Sequence, residues 1–271
     1  MRDVILSLLT AATLASTAYA QQAADAVAPE AGTAVTGAQT DVSPEVSAAH
    51  EAKTAGRPVE AQTWMIAAAN PLAVSAGADV LRDGGTAADA MVAVQTVLGL
   101  VEPQSSGLGG GAFLVWYDAE SGELTTLDAR ETAPLAATPR LFQTPDGEPM
   151  GFFDAVVGGR SVGTPGTPAL LEEAHRRWGR ANWPSLLEPA IRLAEDGFAV
   201  SPRLAEAVTE DADRLSTDPA TAAYFLPGGE PLTAGETLRN PDYAATLRSL
   251  AATGARSFYA GPIAANIVRA V

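Results

Sequence analysis

From about Trp64 onward the chain alternates apolar faces with sharp stops, mostly at a helical period. The short apolar run Met65 to Ala69 suits a buried strand. Asn70-Pro71 then supplies a cap and a first-turn proline for a helix with Ala73, Ala76, Gly77, Val80 and Leu81 on one face. Gly84-Gly85 ends it. Thr86 and Asp89 have the spacing of a capping box, opening a helix from Ala87 to about Leu100 that is apolar nearly all round and predicts burial. The glycine-rich loop Gly107-Leu108-Gly109-Gly110-Gly111 follows, then two strands: Phe113 to Tyr117, bulky enough for a buried strand, and Leu124 to Arg130, joined by a hairpin loop over Asp118 to Glu123.

The rest of the pattern is helical. Pro134 to about Gly151 reads as surface loop, with a turn at Thr144-Pro145-Asp146-Gly147. After a second rigid loop, Ser161 to Pro168, Thr167-Pro168 caps a helix with Leu170, Ala174 and Trp178 on one face, closed by Gly179. Further helices are expected at Pro184 to Glu195, after Ser201-Pro202 and after Asn240-Pro241, the last with Tyr243, Leu247, Leu250 and Ala251 inward. From Pro262, Ile263, Ile267 and Val271 keep the period to the final residue with no stop signal, which suggests a truncated gene or a fragment.

The segment before Trp64 differs in kind. Met1-Arg2-Asp3, the apolar run Val4 to Ala18 and the small-x-small end Ala18-Tyr19-Ala20 predict a cleaved signal peptide over residues 1–20, hence a periplasmic or secreted protein, with a retained anchor as the alternative. Gln21 to Arg57 is rich in Ala, Thr, Gln, Glu and Pro without a lasting apolar period, so residues 21–57 read as a disordered linker carrying a solvated His50. Residues 58–271 form the folded part.

Composition narrows the chemistry. With 271 residues, 47% of them hydrophobic, a sizeable core is available. A net charge of -15 argues against nucleic acid and anionic lipid, and the absence of cysteine excludes disulfides and thiolate catalysis. The chain has no Gly-x-Ser-x-Gly elbow, Walker loop or His-Glu-x-x-His helix, and nothing in it calls for a metal or organic cofactor. The glycine loop precedes a strand rather than a helix, which favours close backbone packing over a phosphate cradle. Ser105 and Ser106 are nucleophiles only with a base nearby, and His175 reads as structural. Arg130, at a strand end, is either a fork for an acidic substrate or the partner of Asp128, which shares its face.

Two ordered stretches carry a resemblance. Glu102-Pro103-Gln104-Ser105-Ser106-Gly107-Leu108-Gly109-Gly110-Gly111, followed by Asp128-Ala129-Arg130-Glu131-Thr132-Ala133-Pro134, resembles the large-subunit signature of the gamma-glutamyltranspeptidase (glutathione hydrolase) family. Ala67 to Ala90, Gly163 to Thr167 and Pro189 to Phe198 are similar to other family segments in the same order, so the likeness runs from about Trp64 to the end.

The resemblance implies an α+β fold, the αββα sandwich of N-terminal nucleophile hydrolases, of which this chain holds only an incomplete large-subunit part. It implies a precursor that cleaves itself. The small subunit's new N-terminal threonine attacks gamma-glutamyl amides such as glutathione, its own amine serves as base, and the acyl group passes to water or an acceptor. It also implies that Arg130 holds the donor's α-carboxylate, and that the implied partners are a gamma-glutamyl donor and the small subunit. No nucleophile is assignable here, because Thr125, Thr126 and Thr132 are internal and lack a free amine. The isolated chain is expected to be inactive. The alternatives are a non-catalytic gamma-glutamyl-binding or partner-dependent half-protein, and a relative acting as a cephalosporin acylase.

Overall fold

The computed structural model describes residues 42–271. The expected signal peptide and residues 21–41 of the expected linker lie outside them. The described part of the linker is not uniformly disordered: Pro44–Thr54 is a helix, α1. Ser43 caps it, its amide donating to Ser75 Oγ at 3.0 Å, while Glu45 pairs with Arg82 at 2.8 Å and Val46 is buried. His50 rides on α1 half-buried. A weak apolar period concealed this helix, because tertiary partners rather than its own face hold it.

The helices α2 (Pro71–Arg82) and α3 (Ala87–Val101) form the expected pair, but the run before them is corrected. Met65 to Ala69 is not a strand: it pairs with none among the described residues, and Met65 is exposed. Next come the antiparallel strands β1 (Ala112–Tyr117) and β2 (Leu124–Ala129), with Ala112 opposite Ala129 and Tyr117 opposite Leu124. After the short α4 (Phe152–Val156) the chain builds α5 (Thr167–Trp178) and α6 (Trp183–Asp196). Then follow β3 (Phe198–Ala199), α7 (Pro202–Glu210), α8 (Ala212–Leu215) and α9 (Pro219–Phe225). The last elements are β4 (Thr237–Leu238), which pairs with β3, α10 (Pro241–Thr253), α11 (Arg256–Tyr259) and α12 (Pro262–Ala270).

The core forms where α3 meets α2, α5 and α6, and where α10 lies on α6. Val92, Val97, Leu100, Leu187, Ile191 and Leu247 are buried there. As the nearly continuous apolar surface of α3 demands, that helix is enclosed on most sides. Among the described residues no helix is long and apolar enough to cross a membrane.

The hairpin is buried on one face only. Leu114 is buried, and Trp116 stacks on Trp178 of α5 with ring centroids 4.7 Å apart. Phe113, Val115, Tyr117 and Leu124 stand 62 to 67% exposed on the other face. The expectation of a fully buried β1 is therefore corrected: side chains alternate across a strand, and here only one face has a helix to cover it.

The capping box at α3 is present, and its acid does more than cap. Asp89 is fully buried and accepts from the amides of Thr86 (2.8 Å), Arg180 (3.1 Å) and Ala181 (3.2 Å), tying the end of α5 to the start of α3. Burial works against its charge, but the amides of Thr86, Arg180 and Ala181 more than offset it and hold the carboxyl below its usual range. A carboxyl depressed in this way adds stability that is complete above its unfolded value, about 3.9, and is lost as pH falls through the folded value. The urea midpoint of Asp89→Asn should therefore lie well below wild type near about pH 6 and approach it near about pH 3. A gap independent of pH contradicts this.

Candidate active site

Three loops converge where the hairpin ends. The Gly110 carbonyl accepts from the amides of Gly166 (2.9 Å) and Thr167 (3.1 Å) and from the Thr167 hydroxyl (3.1 Å), while the Thr164 amide donates to the Thr132 carbonyl at 2.8 Å. Thr167 is therefore not the cap expected from sequence: α5 starts at Thr167 itself, behind Gly166, and its hydroxyl reaches the glycine loop instead. A side chain at Gly111 would place its Cβ 2.6 Å from the Ala129 carbonyl and 2.6 Å from Glu131 Oε2, so close packing accounts for this glycine.

The start of the same loop is held by a buried charge. Glu102, at the end of α3, is 2% exposed and accepts from Asn70 Nδ2 (3.0 Å), Gln104 Nε2 (2.7 Å) and Arg203 Nη1 (2.5 Å). Arg203 also donates to Ser105 Oγ at 3.1 Å, and Gln95 to Ser106 Oγ at 2.6 Å. Both serines are thus engaged with scaffold groups rather than a base. Sequence reading passed over Glu102 and Arg203 as a pair; the available signal was a carboxylate directly after an apolar helix, which must find a partner if it is buried.

Arg130 follows β2 directly, and its side chain is 71% exposed. Its backbone amide donates to Asp128 Oδ1 at 2.9 Å, whereas its guanidinium faces Glu131, with Nε 3.4 Å from Oε2. The alternative ion pair with Asp128 is replaced by one with the next residue. His175 is structural as read: Nε2 lies 2.9 Å from the Ala181 carbonyl and 3.5 Å from Asp89. On the outside of α5, Arg176 and Arg177 draw the half-buried Glu173 carboxyl down to about 2. Among the described residues no three His, Asp or Glu side chains gather as metal ligands.

What the described residues offer, then, is an exposed guanidinium on a tightly knit loop platform, beside an uncovered apolar strand face. Against protein-family profiles, residues 73–271 match Gamma-glutamyltranspeptidase. The chain belongs to the gamma-glutamyltranspeptidase family. It is 43% identical over 203 residues to a glutathione hydrolase proenzyme of Bacillus subtilis, a match covering 75% of this chain and 34% of that protein.

Solved gamma-glutamyltranspeptidases share its fold. The enzyme of Helicobacter pylori superposes with a TM-score of 0.75 at 34% identity, over 78% of this chain and 61% of that one. A cephalosporin acylase from Bacillus halodurans follows at 0.62 and 31%, over 78% and 42%. The chain is thus an α+β part of the N-terminal nucleophile hydrolase fold expected above, spanning about a third of the length of the curated relative from Bacillus subtilis.

Proposed function

We propose that this chain is the donor-anchoring part of an enzyme that hydrolyses or transfers gamma-glutamyl groups of glutathione and related amides. The observation that carries the reading is the family match over residues 73–271, which includes both signature loops and Arg130. In this reading Arg130 holds the donor's α-carboxylate by two parallel hydrogen bonds. The nucleophilic threonine belongs to the small subunit. Its hydroxyl adds to the gamma-carbonyl as its amine takes the proton; the tetrahedral intermediate collapses to an ester and expels the donor's amine, which takes up that proton. Water or an acceptor amine then cleaves the ester.

The small subunit is also the proposed occupant of the bare strand face. Phe113, Val115, Tyr117 and Leu124 form an apolar strip of the kind that marks an interaction surface. Export through the N-terminal segment is part of the same proposal.

The likeness to a cephalosporin acylase favours one second reading, an acylase acting on the acyl amide of a cephalosporin. A complete proenzyme carrying this segment should cleave gamma-glutamyl-p-nitroanilide faster than the acyl amide of a cephalosporin. The reverse order would favour the acylase.

A further inference from the structure

Arg130 stands just past the last paired residue of β2, so the hairpin ladder no longer fixes it. The loop Gly163-Thr164-Pro165-Gly166 holds the backbone on both sides of it instead. Before Arg130, a Cβ at Gly166 would fall on the Ala129 carbonyl, 2.7 Å from its carbon. Beyond Arg130, the Thr164 amide donates to the Thr132 carbonyl at 2.8 Å, and a Cβ at Gly163 would stand 3.1 Å from that same oxygen. Glycine is the least restricted residue, so a loop with one at each end needs a fastening of its own to keep its shape.

Tyr259 supplies that fastening from α11, 94 residues beyond Pro165. Its hydroxyl donates to the Pro165 carbonyl at 2.9 Å and accepts from the Ala169 amide at 3.2 Å. Ala169 lies in the first turn of α5, which has no side-chain cap. There the Thr167 amide goes to the Gly110 carbonyl, Pro168 has no amide hydrogen, and the Ala169 amide is met by the tyrosine. One oxygen thus ties the loop to the helix it enters. The ring is held in turn, edge to face with the buried Phe258 at 5.5 Å between centroids.

We propose that Tyr259 is a positioning residue for Arg130, acting through the backbone of the Gly163 to Gly166 loop. Without the hydroxyl the loop can shift against Ala129 and Thr132, and the guanidinium carried between them shifts with it. This rests on the reading of Arg130 as the donor anchor and adds to it the residue that steadies the backbone from which the anchor reaches.

The test is a double-mutant cycle in a complete proenzyme carrying this segment, assayed with gamma-glutamyl-p-nitroanilide. Tyr259→Phe keeps the ring on Phe258 and removes only the hydroxyl. It should lower kcat/KM by about fivefold, chiefly through KM, with the melting temperature down by only a few degrees. Once Arg130 is alanine it should have no further effect on KM. Gly163→Ala, which presses the same loop off the Thr132 carbonyl, should show the same KM signature.

The two readings fail separately. Unchanged kinetics in Arg130→Ala would remove the anchor itself. With Arg130→Ala impaired, a Tyr259→Phe variant that is wild type in KM, or fully additive with Arg130→Ala, would overturn the positioning role alone.

Discussion

Replacing Arg130 by alanine in a complete proenzyme carrying this segment should lower kcat/KM for gamma-glutamyl-p-nitroanilide by about 2 to 5 kcal/mol, on the order of thirtyfold to several thousandfold. The size of the effect is itself diagnostic. Arg130 is 71% exposed here, and an ion pair on an open surface is worth about 0 to 1 kcal/mol. The larger figure requires that the donor and the small subunit remove water from the guanidinium, so that its loss strands a buried carboxylate. A loss below about 1 kcal/mol would mean that Arg130 stays in solvent and does not anchor the donor.

Glu102→Ala should destabilise the fold by about 3 to 5 kcal/mol, the usual cost of breaking a buried ion pair by removing one partner. The carboxylate is 2% exposed and gathers Asn70, Gln104 and Arg203, so its loss leaves the buried Asn70 amide without its acceptor, whereas the exposed Gln104 can turn to water. Arg203 is 33% exposed and can return to water, which moderates the loss; Glu102 has no such route. Arg203→Met should consequently cost more than Glu102→Gln, which keeps the shape and gives up only the charge. Urea unfolding of the three variants gives the order, and midpoints equal to that of wild type would show that the network contributes nothing.

The elements that sequence predicted well are those whose signals are local. The capping box of Thr86 and Asp89, the Asn70 cap and the hairpin around Asp118 to Glu123 depend on residues within a few positions of one another, and all are present. Where a distant partner decides the outcome, the pattern was silent. Met65 to Ala69 has the composition of a strand but no strand to pair with among the described residues, and β1 has the composition of a core strand but a helix on one face only.

The site divides in the same way. Arg130 stands out in the sequence because it lies inside a recognisable stretch. Gly110 and Gly111 lie against the Glu131 carboxylate and Gly163 against its stem, a closeness that emerges only when the loops meet. The partners of Glu102 lie as far off as Arg203, a separation at which spacing carries no signal.

The most direct test of the whole account is p-nitroaniline release from gamma-glutamyl-p-nitroanilide, measured for the 271-residue chain and for a complete proenzyme carrying it, at equal concentration. The account predicts release by the complete protein and none by the chain alone. Turnover by the pure chain, or none by a correctly processed complete protein, would contradict it.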